Sequence, residues 1–382
     1  MKYMMKSINA DSRTTIQKKN ERMINFYNNY EKEVTPVVEK YERIRIKSII
    51  NFILISFALI LGEIIIFKQM FLENLIFHNG ILGIGIGIVL YLGPIALAYY
   101  FINNSFQKTV KKDLLQNVIK GLGEIYWLPN KKLIDDEILR TSQLFATYNN
   151  RENDDTFQGR YNGLEFKISE TEMKYISGGG RSRTVQGVFD GVIIIIDSNK
   201  KINAKTIITT KGDKQIRNSN QVILISILLL ALPIMEFLFM FPFKLNILIF
   251  IIFVIIFGVA YIITKRLNKD NSMSNMQLED PEFNKRYNVY TQDQVEGRYL
   301  VTPTFMERFK NLHTSFGTKM AKCAFFDSNI MFALSTEKNL FELSRGIFCS
   351  LKNPKQTKIF YEEISAIYDI IDYFKLDEKT GL

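Results

Sequence analysis

The chain has 382 residues, 47% of them hydrophobic, with a formal net charge of +10 and a mean hydropathy of 0.00. That average combines dense apolar blocks with long polar segments, which excludes a uniform soluble globule. The basic excess raises nucleic acid as a partner through counterion release. Its cations are interleaved with acids and lack the glycine and aromatic punctuation of single-strand binders, so no nucleic acid is expected.

Residues 1–47 form a basic segment in which Lys18, Lys19, Arg22, Arg43, Arg45 and Lys47 precede the first apolar block. This is the positive-inside pattern of a cytoplasmic N-terminus. Ser12–Lys47 has helix-forming composition and is expected to run into the first span, with a kink at Pro36. The first apolar run begins near Ser48, too late for a cleaved signal peptide.

Crossing roughly 30 Å of hydrocarbon takes about 20 apolar helical residues. Four stretches reach that length: Ser48–Phe67, Gly80–Ile102, Gln221–Pro242 and Leu245–Thr264. Each pair is joined by a short connection, so two transmembrane hairpins are predicted, 48–102 and 221–264. Lys108, Lys111 and Lys112, then Lys211, Lys214 and Arg217, then Lys265, Arg266 and Lys269 flank the spans on one side, whereas the short outer loops hold Lys68 and Lys244. Both termini and the central region are therefore predicted on the cytoplasmic side of the membrane. Gly83 and Gly87 have the small-xxx-small spacing of a transmembrane helix contact. Glu63 and Glu236 fall in the outer thirds of their helices, where a carboxylate can reach water.

Residues 103–155 read as a helical linker, with helices over Asn103–Gly121 and Lys131–Tyr148. From Thr156 the period changes to that of strands: Leu164–Ser169, Met173–Ser177, Val185–Asp197 and Lys205–Thr210. Strands resume at Arg286–Tyr290, Met320–Phe326 and Ile330–Leu334, and Tyr361–Phe374 has helical spacing. One cytoplasmic α+β domain with a mostly antiparallel sheet is thus expected from 156–220 and 265–382, split by the second hairpin.

Gly178, Gly179 and Gly180 close a predicted hairpin, and Arg181 and Arg183 beside them could meet acidic lipid headgroups. The densest polar stretch, Leu278–Arg308, holds Asp280, Glu282, Asp293, Glu296 and Arg298. Paired carboxylates can do acid and base work. Asp293 with Glu296 also fits a capping box, and Thr302 before Pro303 fits a helix start. His78 and His313 fall on opposite sides of the predicted membrane, and Cys323 and Cys349 lack ligand spacing. No catalytic, cofactor or metal residues are assigned, and no cofactor is expected.

Several motifs in order resemble the bacterial membrane protein family called domain of unknown function 3137. Phe157, Gly159, Tyr161, Gly163, Phe166 and Glu170 match its first strand pair, and Val188, Phe189, Gly191, Asp197, Asn199 and Lys200 its next strand. The closest part is LEDPEFNKRYNVYTQDQVEGRYLVTPTFMER, followed by FFDSNIMFAL, LFE and IIDYFKL near the C-terminus. The resemblance implies two N-terminal spans and a cytoplasmic domain, and it carries no catalytic or binding role. Gly297 stands where the family pattern leads us to expect alanine, a change that reads as trivial from sequence, and the second hairpin reads as an insertion.

The expected function is that of a non-enzymatic scaffold or regulator whose cytoplasmic domain binds a protein partner. Membrane lipids are further partners, and homo-oligomer formation stays open. An enzyme acting on lipid or envelope precursors is the alternative, and it requires the acidic stretch and the Gly178–Arg183 loop to share a cleft. A small transporter component is the weaker alternative, with Pro94 and Pro233 as its broken-helix hints.

Overall fold

The computed structural model describes residues 17–70, 77–179, 182–213, 273–318, 320–336, 339–353 and 355–380. The second predicted hairpin, with Glu236 and Pro233, and Arg181 with Gly180 lie outside the described residues. The chain divides into two compact units.

The first unit comprises residues 1–127, 159–161 and 339–368. Its helices are α1 (Thr35–Met70) and α2 (Phe77–Lys120), followed by strand β1 (Glu124–Trp127). A π-helical turn, Tyr30–Val34, precedes α1, and the Thr35 N–H bonds the Tyr30 carbonyl. Pro36 has no N–H to give the carbonyl four residues earlier, and widening the helix ahead of it relieves that mismatch. The irregularity seen near Pro36 is therefore this π-helical turn just ahead of it.

Among the described residues one helix, Gln17–Ile65, is long and apolar enough to cross a membrane. The predicted first span lies within it. Gly80–Ile102 is helical within α2, which contains Pro94, but most side chains there, and the packing of Gly83 and Gly87, lie outside the described residues. Four spans gain no support as a set. Below the apolar parts, Phe26, Val34, Val38 and Tyr41 are buried, as are Phe106, Val110, Leu114 and Val118 of α2.

The second unit comprises residues 128–158, 162–338 and 369–382 and holds most of an antiparallel sheet. After α3 (Asp136–Ser142) come β2 (Asn150–Tyr161), β3 (Leu164–Ser177) and β4 (Thr184–Thr210). Then follow β5 (Ser274–Met276), α4 (Pro281–Arg286), β6 (Tyr287–Thr291), α5 (Gln294–Leu300), α6 (Pro303–Ser315) and β7 (Met320–Ser335). The last helix, α7 (Lys355–Thr380), is shared between the two units.

β4 is the axis of the sheet. One of its edges pairs with β7 from Gly191 to Thr209. Its other edge pairs first with β3, over Thr184–Ile196, and then with β6, over Thr206–Thr210. The run Val192–Ile196 is buried throughout because both sheet faces are covered. One face holds Ile193, Ile195 and Met331 against Ile134, Leu139, Leu144 and Phe145. On the other, Phe305 of α6 packs on Phe325 and Phe332 of β7, with ring centroids 5.2 and 6.3 Å away.

Three sequence expectations are corrected. The predicted helix Lys131–Tyr148 shrinks to α3, because Gln143 adopts a left-handed conformation (φ 59°) and ends it. The 103–155 linker is helical to Lys120, then supplies β1, α3 and the start of β2. The strand pairs separated at Ser169–Met173, Asp197–Lys205 and Phe326–Ile330 are continuous strands. In β4 the polar interruption is a bulged region: the steps from Asp197 to Ile202 face only Asn329 to Asp327 on β7.

Gly191 of β4 has no room for a side chain. Its φ is +148°, and a Cβ there would lie 2.1 Å from the Leu334 carbonyl oxygen and 2.9 Å from Ser335 Cα.

Candidate functional site

The acidic stretch folds as scaffold. Asp280 caps α4 by accepting from the Glu282 and Phe283 N–H groups at 2.9 and 3.1 Å, with Pro281 at the first helical position. Lys310 lies 2.9 Å from its other oxygen. That ammonium, followed by the capping N–H groups, holds the Asp280 carboxyl below the usual carboxylate range. Glu282 opens α4's first turn, and Arg298 forms an exposed pair with Glu279 at 2.9 Å. Thr302 caps α6 through the Phe305 N–H, as predicted.

The capping box is half formed. Asp293 caps α5 through the Val295 and Glu296 N–H groups. Glu296 does not reach back to Asp293. It accepts instead from the Asn203 and Ala204 N–H groups of β4 at 2.9 and 2.7 Å, and Thr291 Oγ1 receives the Asp293 N–H. These two amides in the bulged half of β4 compete for the carboxylate that an isolated helix would use for its own cap.

Gly297 is where α5 presses on β6. A Cβ would lie 2.8 Å from Thr291 Oγ1 and 3.2 Å from Met276 Cε, and the buried Thr291 hydroxyl is already bonded to Thr206 Oγ1 at 2.9 Å. The change read as trivial from sequence is therefore tight. Gly297→Ala is expected to cost about 1–3 kcal/mol, read as a lower thermal midpoint of the purified chain.

The hairpin at Gly178 forms as predicted, with Ser177 facing Thr184 and Gly178 at φ +77°. It does not meet the acidic stretch. Glu296 binds β4 near Ala204, whereas the hairpin ends at Thr184; between them, the Gly191–Ile202 portion alone runs alongside β7 from Ser335 to Asp327, roughly 26 Å at about 3.3 Å per residue. The cleft required by the surface-enzyme alternative is therefore absent among the described residues.

Sequence reasoning missed three other features. Asp154, Asp155 and Glu170 converge so that one oxygen of each lies within 4.8 Å of the others. Such hard-oxygen donors suit Mg2+ or Ca2+, but acidic clusters also occur without an ion, and no metal is assigned. Their pairing across β2 and β3 depends on register, which single-strand patterns do not report.

The second is an open edge. β7 pairs with β4 no further than Gly191, so Thr184–Phe189 has β3 on one side and no strand on the other among the described residues. The ribbon beyond is solvated: Val185 is 54% exposed, Tyr175 is 39% exposed, and Arg183 is exposed.

The third lies in the first unit, where residues 339–353 wrap the two long helices. Glu42 accepts from the Leu351 N–H and Ser350 Oγ, each at 3.0 Å, and pairs with Arg45 at 2.8 Å. Arg45 donates to the Ile347 carbonyl at 2.7 Å, and Lys111 pairs with Glu342 at 2.6 Å. Phe348, 58% exposed, stacks on Tyr99 at 5.5 Å and meets Phe52 edge-on at 5.9 Å. Both partners belong to the predicted spans. A lone aromatic in Gly346–Ser350 is the only sequence signal for this contact.

Burial alone would raise the Glu42 pKa, but Arg45, the Leu351 N–H and Ser350 outweigh it and the net shift is downward. A depressed carboxylate contributes stability that is present above its unfolded value, about 4.3, and is lost as pH falls through the folded value. Acidification through and below pH 4 should therefore loosen this wrap in the wild type, and a Glu42→Gln variant should show a flatter melting-temperature profile over that window.

The fold and these sites define an α+β protein with an antiparallel sheet and a long apolar N-terminal helix. Residues 187–376 match the family described as protein of unknown function (DUF3137), and the chain belongs to that family through this region. No curated protein matches the chain. Among solved structures, the crystal structure of the mycobacterial trehalose monomycolate transport factor A, TtfA, aligns at 9% identity and a TM-score of 0.30, covering 65% of this chain and 86% of that one.

Proposed function

We propose that this chain is a non-enzymatic scaffold or regulator of the bacterial inner membrane. In this reading it is multi-pass, two apolar hairpins hold it in the bilayer, and both termini and the α+β domain face the cytoplasm. The domain binds a protein partner by strand addition along the open edge of β4.

The observation carrying this reading is the β4 segment Thr184–Phe189, whose outer backbone edge has no strand beside it among the described residues. Exposed edges pair readily with an extended segment, the backbone supplying affinity and alternate side chains specificity. The Phe348 contact with Phe52 and Tyr99 supports anchoring, since aromatic residues favour the membrane interface.

The test is purification of the tagged chain from its native membranes in mild detergent, with quantitative mass spectrometry against an untagged control. A Val185→Lys variant should keep its thermal midpoint and lose a stoichiometric protein partner, because charge on an edge opposes pairing. Absence of a partner, or one retained by the variant, would overturn the strand-addition reading.

A further inference from the structure

A cavity of about 290 Å³ in the first unit is unused by this reading. Its rim carries Arg22, Asn25 and Lys120, its side the Gly121–Gly123 backbone, and its floor the buried Tyr361, Ser365 and Tyr368. The lining holds two cations and no carboxylate among the described residues.

The Arg22 guanidinium is fixed by stacking over the Tyr161 and Tyr368 rings at 5.6 and 5.8 Å, and it donates to Tyr161 Oη at 2.6 Å. Carbonyls at the end of α2 would repel an anion, but several are already engaged. Val118 and Ile119 accept from the Gly121 and Leu122 N–H groups, and Leu122 accepts from Tyr368 Oη at 2.8 Å. The Ser365 side chain supplies an independent sign of a ligand. The residue is 4% exposed, lines the cavity, and its hydroxyl has no hydrogen-bond partner among the described residues. A buried hydroxyl left unpaired is costly, and an acceptor in the cavity would satisfy it.

We infer that this cavity binds a phosphate group, with Arg22 and Lys120 supplying charge at the mouth and Ser365 donating from the floor. Guanidinium and ammonium groups together suit phosphate oxygens. The volume lies at the small end of ligand pockets, roughly 300–1,000 Å³, so the bound moiety is small. A soluble phosphate and the headgroup of an anionic lipid share this chemistry.

Inorganic phosphate titrated calorimetrically into the full chain in phosphate-free detergent micelles tests the soluble source. Reconstitution in nanodiscs of phosphatidylcholine with or without phosphatidic acid, read as a shift in melting temperature, tests the lipid source. Saturable binding in either arm, weakened about tenfold or more by Lys120→Glu and several-fold by Ser365→Ala, is the expected result, from loss of charged hydrogen bonds. Lys120 is exposed and Ser365→Ala removes only an unpaired hydroxyl, so both variants should keep the wild-type fold, checked by circular dichroism. No saturable response in either arm, or affinity unchanged in folded Lys120→Glu, would overturn the assignment.

Discussion

Replacing Asp213 with asparagine is expected to destabilise the domain by about 3–5 kcal/mol, measured by chemical denaturation of the purified chain. Asp213 lies 2.7 Å from Lys322 Nζ, and the two side chains are only 1% and 2% exposed. Lys322 also donates to the Leu144 carbonyl at 3.1 Å. Burial pushes the Lys322 ammonium below the usual lysine range, and Asp213 opposes that shift. Removing the carboxylate leaves a desolvated cation facing only neutral groups among the described residues, the Leu144 carbonyl and the Phe145 ring. The paired replacement Asp213→Leu/Lys322→Met removes both charges together and should recover most of the loss, since apolar substitutes for buried ion pairs are often neutral or better. A double variant as unstable as the single one would show that the lysine's length, not its charge, fills the site.

Gly191→Ala should be nearly as damaging, at about 3 kcal/mol or more from combined backbone strain and overpacking. The contact is with backbone of the paired strand β7, which a rotamer change cannot relieve. Gly191 is also where β7 stops pairing, so a shift there would lengthen the open edge of β4. Loss of the cooperative melting transition would bear this out. A wild-type midpoint would mean that β7 can slide aside without cost.

What could be read in the sequence was what depends on neighbours a few residues away. Thr302 before Pro303 specifies a helix start by itself, and the cap forms. The unbroken apolar run Val192–Ile196 marks a strand covered on both faces, and it is one. The polar run Asp197–Lys201 looks like a loop for the same local reason, but pairing with β7 carries the strand through it as a bulged region. Glu296 illustrates the limit: its spacing from Asp293 is that of a capping box, and its partners lie 92 and 93 residues earlier on β4. The cavity at Ser365 and the Phe348 contact were equally hidden, because each brings together segments far apart in the chain.

β4 and β5 have a further consequence for how this domain holds together. Thr206 of β4 and Ser274 of β5 face the same residue, Thr291 of β6, from opposite sides. Two strand spacings put them about 10 Å apart, although residues 207–273 lie between them in the chain. Strands before that gap find their partners after it, β4 with both β6 and β7. The sheet is therefore a union of two chain halves that recognise each other through backbone pairing and a buried Asp213–Lys322 contact. Residues 164–213 and 273–335 carry complementary strands of one sheet, as two fragments of a split protein do.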